Sequence, residues 1–290
     1  MTQFGIGKGT KRCLRGIVLG KNAISQGLSE VVTDMRLLTH WWKGGVVFRQ
    51  AAVDGFQVLL RVDESVGRAI YYGRDFESEE TVFLRRHVRD ADICFDIGAN
   101  VGYYTVLFAK LAQHGQVNAF EPVPLNYHLL NINLLANGVK NAVASSLAVG
   151  DSDGVAQFVI AEDTAYSSLV DTGRKPQRDV IQVSMTTLDS YCLRHEIPRI
   201  DFLKVDVEGA EAKVIGGARD IFGAKDRKPR AVMLELYEPM LQKHGSSISQ
   251  VVDQMYRYGY RSFICVSGRM VPFELNHHNV HYNVFFVTQG

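Results

Sequence analysis

From Ala91 onward, apolar residues gather in short runs separated by stretches with helical spacing. Runs that fit strands cover 92–96, 116–121, 142–147, 200–206, 230–236, 260–266 and 280–288, and helical patterns cover 104–113, 124–136, 187–195, 210–221 and 246–258. This alternation predicts an α/β domain built on a parallel sheet. The last two strands follow each other without a helical crossover. The expectation is therefore a seven-stranded, mostly parallel sheet with an antiparallel strand at one edge. Between the third and fourth strands, 155–160 and 180–183 predict a β-hairpin insertion, whose polar loop from Glu162 to Arg178 is long enough to act as a lid.

The N-terminal part has a different pattern. Over 22–42, Ile24, Leu28, Val31, Met35, Leu38 and Trp42 recur at spacings of 4, 3, 4, 3 and 4, which predicts an amphipathic helix stopped by Gly44-Gly45. Its polar face is mixed rather than basic. Docking on the body, or on a second copy in a homodimer, is therefore favoured over a membrane surface. Apolar runs at 46–48, 57–62 and 69–72 predict a small β-meander, and Ser78 with Glu79 and Glu80 predicts the start of a helix over 79–89. The chain thus divides into an arm with a helix (1–45), a meander (46–78) and an α/β domain (79–290).

Bulk composition narrows the picture only slightly. Hydrophobic residues make up 46%, charged residues 22%, and the formal net charge is +1, as in ordinary folded proteins. The first 50 residues carry eight Lys/Arg against Glu30 and Asp34, so a basic arm precedes a mildly acidic body. That arm keeps a membrane-surface contact through 1–42 open. The α/β domain shows no basic face with interleaved aromatics, which argues against nucleic acid. Cys13, Cys94, Cys192 and Cys265 show neither disulfide nor metal spacing, and no apolar run reaches the ~18 residues of a membrane span. The expected location is cytoplasmic, peripheral at the inner membrane face if the arm binds lipid.

The chemistry concentrates at Asp96-Ile97-Gly98-Ala99-Asn100-Val101-Gly102, between a predicted strand and helix. Two glycines make a tight turn that backbone can use to approach a ligand, and the following helix start presents free N–H groups. The next strand ends in Glu121-Pro122, where an acid can hold two ribose hydroxyls. A dinucleotide fold wants G-x-G-x-x-G, but here Asn100 and Tyr103 occupy two of those glycine positions and crowd a pyrophosphate. Asp96 also suits a cation. S-adenosylmethionine, with a sulfonium, an ammonium and a ribose but no phosphate, fits these features better than a nicotinamide cofactor does.

Phe95 through Thr105, Glu121-Pro122-Val123-Pro124 with Asn126, Asn133 and Asn137, Thr187-Leu188-Asp189, Ile200 through Glu211, and Leu234-Glu235 together resemble the FkbM-type methyltransferases, over roughly 79–288. The resemblance implies a Rossmann-like class I methyltransferase fold and methyl transfer from S-adenosylmethionine. The implied acceptor is a hydroxyl on a sugar of a glycoside, glycolipid or natural product. It also implies a cofactor pocket of Asp96, Gly98, Asn100, Gly102, Tyr103, Glu121 and Pro122. Ligands lie beyond the carboxyl ends of parallel strands, which adds Ser146 and Ala148 beside the adenine.

A hydroxyl acceptor needs a group to take its proton. Asp206, at the end of the fourth strand, is expected to orient the acceptor or the cofactor, and Glu208 or His244 to serve as base. Glu208 and Glu211 also read as first-turn acids of the next helix. His277, His278 and His281 could mark an acceptor site or a metal, but a solvated loop that happens to contain them is the favoured reading. Mg²⁺ is possible but not favoured, because isolated carboxylates at strand ends are common without a metal. Two alternatives stay open: N-methylation of a small molecule, and a SAM-binding partner protein without catalysis.

Overall fold

Phe202-Leu203-Lys204-Val205 is buried along its whole length, which requires packed layers on both faces of the sheet. The computed structural model describes residues 48–73, 76–276, 278 and 280–288; the basic arm, the helix expected over 22–42 and His277 lie outside them. An antiparallel hairpin, β1 (Phe48–Val53) and β2 (Phe56–Arg61), leads into α1 (Ser65–Tyr72) and α2 (Ser78–His87). Alternation then begins with β3 (Ile93–Ile97), α3 (Tyr103–Leu111), β4 (Gln116–Phe120), α4 (Pro124–Ala136) and β5 (Ala142–Ser145). The insertion is a separate small sheet of β6 (Ala148–Val149), β7 (Gly154–Ala161) and β8 (Gln177–Thr186). The chain continues through α5 (Leu188–Arg194), β9 (Phe202–Val205), α6 (Glu211–Gly216), α7 (Arg219–Gly223) and β10 (Ala231–Tyr237). It closes with α8 (Glu238–Lys243), α9 (Ile248–Arg257), β11 (Tyr260–Val266), β12 (Arg269–Pro272) and β13 (His281–Thr288).

Among the described residues the main sheet has eight strands, ordered β12-β11-β13-β10-β9-β3-β4-β5. The run from β10 through β9, β3 and β4 to β5 is parallel. The sheet does end in an antiparallel strand, but that strand is β12, a hairpin partner of β11 turned at Ser267-Gly268, where both residues have positive φ. The final strand of the chain is not at the edge. β13 inserts between β10 and β11, antiparallel to both. One face packs on α2 and α3, where Phe83 meets Phe202 and Phe285, and Phe108 meets Phe202. The other face packs Phe95, Leu203 and Val232 against Leu188, Val214, Ile221 and Val251 from the later helices.

Three elements depart from the sequence pattern. The run Ala69-Ile70-Tyr71-Tyr72, expected as the third strand of a meander, lies in α1. Only Ile70 of the four is buried, so one helical face makes the contact, and Gly67 lets the helix abut β2 because a Cβ there would lie 1.7 Å from the Arg61 carbonyl. The helix expected over 210–221 is two short ones, α6 and α7. The break falls at Gly217, where a Cβ would lie 2.0 Å from the Gly150 carbonyl. Helix α8, with Pro239 in its first turn, was not anticipated.

The β1–β2 hairpin joins the α/β body through asparagine side chains that imitate a strand. Asn133 Oδ1 accepts the Leu59 N–H at 2.7 Å, while its Nδ2 donates to the carbonyls of Leu59 (3.0 Å) and Val101 (2.7 Å). Asn137 does the same one turn later, accepting from Gln57 N–H at 2.9 Å and donating to its carbonyl at 2.6 Å. Asn126 accepts the Thr164 hydroxyl at 3.1 Å and anchors the insertion loop. The three asparagines of the family-like motif are thus fasteners. Asn133→Ala leaves one buried and two part-buried backbone groups without this partner, and a fully buried group so left costs on the order of 1–3 kcal/mol. We expect a loss of at least about 2 kcal/mol in urea unfolding, together with faster hydrogen exchange at the Leu59 amide.

Candidate active site

A cleft of about 270 Å³ opens at the carboxyl ends of β3, β4, β9 and β10. Its floor is the turn from β3 to α3, where Gly98, Asn100 and Gly102 all take positive φ. Gly98 is required twice over, because its φ is +78° and a Cβ would lie 1.8 Å from the Asp206 carbonyl. The Gly98 and Ala99 N–H groups both donate to the Phe120 carbonyl at 3.0 Å, which locks the turn to β4. Asn100 tolerates the left-handed conformation and accepts the Val101 N–H with its own Oδ1 at 2.8 Å. Gly102 does not reach the cleft; it serves packing, with a Cβ position 2.4 Å from Leu130.

Glu121 ties the two strand ends together. Its Oε2 accepts the Asn100 N–H and its Oε1 the Val123 N–H, both at 2.8 Å. Its side chain borders the cleft beside Pro122, and burial pushes its carboxyl up to about 7. Leu147, Ala148 and Phe158 form an apolar wall next to it, whereas Ser146 does not line the cleft.

Asp96 is placed differently from the sequence expectation. It is fully buried, absent from the cleft wall, and bonded by Thr105 Oγ1 at 2.6 Å. Asp96 and Lys204 are register partners on adjacent strands, so their side chains share a face, and Lys204 Nζ lies 3.5 Å from Asp96. Lys204 also reaches Asp206 at 3.2 Å and the Gly98 carbonyl at 3.3 Å, under the ring of Tyr104. Burial opposes the lysine's charge, yet Asp206, Asp96 and Glu77 hold its ammonium above the ordinary range.

The charge chain surfaces at Asp206, whose side chain is 35% exposed. Burial works against its ionisation, but Lys204 and a hydrogen bond from Glu235 hold its carboxyl below the ordinary value. Glu235 takes the opposite course: burial and the neighbouring Asp206 charge push it well up. Glu235 Oε1 is 2.7 Å from His281 Nε2, and His281 lines the cleft.

Glu208 and Glu211 separate clearly. Glu211 Oε1 accepts the N–H groups of Val207 and Gly209 at 3.2 Å, shaping the turn. Glu208 faces the cleft at φ 54° and accepts Arg174 Nη1 at 2.7 Å, while burial pushes it up to about 8. Arg174 comes from the 162–178 loop and lies between the rings of Tyr166 and Tyr237, at 4.1 and 4.9 Å from their centroids. The loop forms the roof. Asp163 takes the Ser65 N–H at 2.9 Å, and the Thr164 N–H donates to Glu64 at 3.1 Å. His244 is not on the cleft wall. It sits behind Gly209 with Nε2 at 3.2 Å from Ser168 Oγ, and burial pushes it down to about 4.

The stretch before the α/β domain contributes a residue the sequence did not single out. Glu77, at φ 45°, accepts the Tyr104 hydroxyl on the cleft wall, and burial pushes it up to about 7. Tyr103 turns its hydroxyl to Asp54 in the β1–β2 turn, with its ring against Phe56 and Phe76. No local pattern marks Glu77; its left-handed backbone has no residue signature.

The wall thus carries Glu77, Glu121, Asp206, Glu208 and Glu235, while Lys204 and Arg174 are each paired with one of these acids. Such a donor set rejects a pyrophosphate and accepts a cationic nucleoside. The turn and Glu121 suit a ribose, the apolar wall suits an adenine, and the acids suit a sulfonium and an ammonium. Among the described residues, no group of three or more His, Cys, Asp or Glu is arranged to hold a metal ion.

Comparison with known proteins agrees with this chemistry. Residues 96–262 match the methyltransferase FkbM domain. The chain is 26% identical over 237 residues to 31-O-demethyl-FK506 methyltransferase FkbM of Streptomyces tacrolimicus, covering 66% of this chain and 87% of that protein. It is 27% identical over 175 residues to methyltransferase sdnD of Sordaria araneosa, covering 50% of this chain and 66% of that protein. A crystal structure of methyltransferase FkbM from Methylobacillus flagellatus KT matches at 15% identity and a TM-score of 0.43, over 69% of this chain and 44% of that one. The family match spans more than half of the sequence and contains the turn, Glu121 and the Asp206 strand end. The chain belongs to the FkbM family of methyltransferases, and its cofactor is S-adenosylmethionine.

Proposed function

We propose that this protein methylates a hydroxyl group, on a sugar of a glycoside, glycolipid or natural product, in the cytoplasm. The observation that carries the reading is the group of proton-exchanging side chains brought together in the cleft: Asp206, Glu235 and His281 all line it, and Glu235 Oε1 lies 2.7 Å from His281 Nε2. An amine acceptor brings its own lone pair, whereas an aliphatic hydroxyl needs its proton removed as it reacts. A proton-handling chain in the cleft suits the second. The relative named for methylating 31-O-demethyl-FK506 supports the same chemistry. No helix among the described residues is long and apolar enough to cross a membrane.

Glu121 would hold the ribose hydroxyls, Leu147 and Ala148 would border the adenine, and Glu77 with Asp206 would face the cationic end. When bound, S-adenosylmethionine supplies an electrophilic methyl group on a sulfonium. The chain's own contribution is to hold the acceptor oxygen close and in line, which accounts for much of the acceleration in such displacements. The roof from 162–178 excludes water, and Arg174 keeps Glu208 occupied.

The test is methyl-labelled S-adenosylmethionine offered with methyl glycosides, glycolipids and hydroxylated macrocycles alongside primary and secondary amines. Label in O-methyl product supports the proposal; transfer to amines alone overturns it. For the pocket, Glu121→Ala removes both the ribose acceptor and the brace on Asn100. It should weaken S-adenosylmethionine binding at least fivefold, about 1 kcal/mol, in a calorimetric titration. Unchanged affinity removes Glu121 from the site.

The buried acids also give a pH signature. Glu77, Glu121 and Glu211 are pushed up to about 7 and Glu208 to about 8. A raised carboxyl binds more protons folded than unfolded, so stability falls as pH rises from the unfolded value near 4.5 to the folded value, and levels off above it. His244, pushed down to about 4, works the other way, but only below about 6.5 where an unfolded histidine still takes a proton. The cofactor-free protein should therefore lose stability from about pH 5 to about pH 8, most steeply below about pH 7, read as a falling urea midpoint. A flat or rising midpoint contradicts the assignment.

A further inference from the structure

Three acids stand at the start of α2, and two of them are fasteners. Glu79 Oε2 accepts the Gly268 N–H at 3.0 Å, and Glu80 Oε1 accepts from Asn283 Nδ2 at 2.6 Å, so both tie α2 to the strands β11 to β13. Glu77 is used differently. It caps the N-terminus of α2, where a carboxylate ordinarily accepts an N–H of the first turn, yet its side chain makes no such bond. Its backbone is left-handed, at φ 45° and ψ 51°, a conformation that is costly for a residue with a β-carbon. That backbone turns the carboxylate into the cleft, where it accepts the Tyr104 hydroxyl.

Charge at this end of the cleft is unbalanced. The Tyr104 ring lies 5.0 Å from Lys204 Nζ, and Lys204 is 3.5 Å from Asp96 and 3.2 Å from Asp206. Among the described residues one ammonium thus answers Asp96 and Asp206 directly, with Glu77 as a third carboxylate nearby. A further cation is the chemistry this corner lacks. The order of strands says which one. β5, β4, β3 and β9 lie side by side, with the apolar wall of Leu147 and Ala148 after β5, Glu121 after β4 and the Gly98 turn after β3. Lys204 lies on β9, facing the Tyr104 ring. S-adenosylmethionine is linear in the same sense: adenine, ribose, sulfonium, amino acid. With adenine on the apolar wall and ribose on Glu121, the amino-acid end comes to the corner between β3 and β9. A carboxylate that already accepts one hydroxyl keeps lone pairs for an ammonium.

Resting on this placement of the cofactor, and not on the choice of acceptor, we propose that Glu77 binds the ammonium at the amino-acid end of S-adenosylmethionine. Glu77 lies outside the matched residues 96–262, so the segment ahead of the methyltransferase domain completes the cofactor site. Binding exchanges a hydrated ammonium for one held by a carboxylate, and the charges of Asp206 and Glu80 add to the attraction. Tyr104 is a positioning residue: its hydroxyl fixes which way the carboxylate turns. The ammonium is remote from the reacting methyl, so this contact is equal in ground and transition states and shows in affinity rather than in kcat.

The test needs no acceptor. The full chain is titrated calorimetrically with S-adenosylhomocysteine and with its desamino analogue, which keeps the adenine, ribose, sulfur and carboxylate but has no ammonium. Wild type should bind S-adenosylhomocysteine at least about tenfold more tightly than the analogue. A wild type without that preference overturns the proposal, with no variant required. Glu77→Gln keeps the length of the side chain and an acceptor for Tyr104. It should weaken S-adenosylhomocysteine and S-adenosylmethionine at least about tenfold and leave the analogue within about twofold, so that the preference collapses. Equal loss on S-adenosylhomocysteine and the analogue reduces Glu77 to a shaper of the wall and overturns the proposal. A loss confined to S-adenosylmethionine assigns the carboxylate to the sulfonium and also overturns it. Glu121→Ala separates this from the pocket reading. If it weakens both ligands while Glu77→Gln weakens neither, the pocket stands and Glu77 is not its ammonium site. If neither variant changes either affinity, both assignments fall.

Discussion

The site depends on one buried charge chain, Asp96–Lys204–Asp206. An ammonium with 3% of its side chain exposed is costly to bury and persists only if its surroundings hold the charge. Asp96 below and Asp206 above do so, and the register of β3 against β9 sets their spacing. The consequences spread outward. Against burial, Lys204 holds the Asp206 carboxyl low; burial and the Asp206 charge push Glu235 up, and Glu235 Oε1 lies 2.7 Å from His281 Nε2. Lys204 also reaches the Gly98 carbonyl, so the same charge steadies the turn at the cleft floor. Removing one member would strand the others in a medium that does not solvate them.

Much of the pocket was legible because its residues carry local signatures. Gly98, Asn100 and Gly102 tolerate positive φ better than other residues, and Glu121 sits where a second strand must end. Asp96 was misread for a reason outside any local window. Its distance from the turn suggested a cofactor contact, but its facing residue, Lys204, lies over a hundred positions away and is revealed only by strand register. Asp206 did surface at the cleft, as expected of a strand-terminal acid, and Glu208 did face it, although Arg174 occupies its carboxylate.

The residues that sequence reasoning missed are supplied by topology. Glu77 comes from the stretch preceding the α/β domain, Arg174 from an insertion loop and His281 from the last strand. His281 looked like one of three histidines in a polar loop; the insertion of β13 between β10 and β11 turns it into part of the wall. The misread elements follow the same logic. Glycine 217 breaks a helix because a carbonyl of a distant turn lies against it, and Ile70 sits in a helix because only one of its run finds a buried partner.

The placement of β13 also dictates an order of assembly. The sheet cannot close between β10 and β11 until the last residues of the chain arrive, since β11 has no direct pairing with β10. A nascent chain that still lacks β13 can build the β3–α3 turn but presents two unmatched strand edges where β13 belongs. Arrival of β13 and closure of the sheet are therefore one event. A polypeptide interrupted before residue 281 is then left with an open sheet and is aggregation-prone.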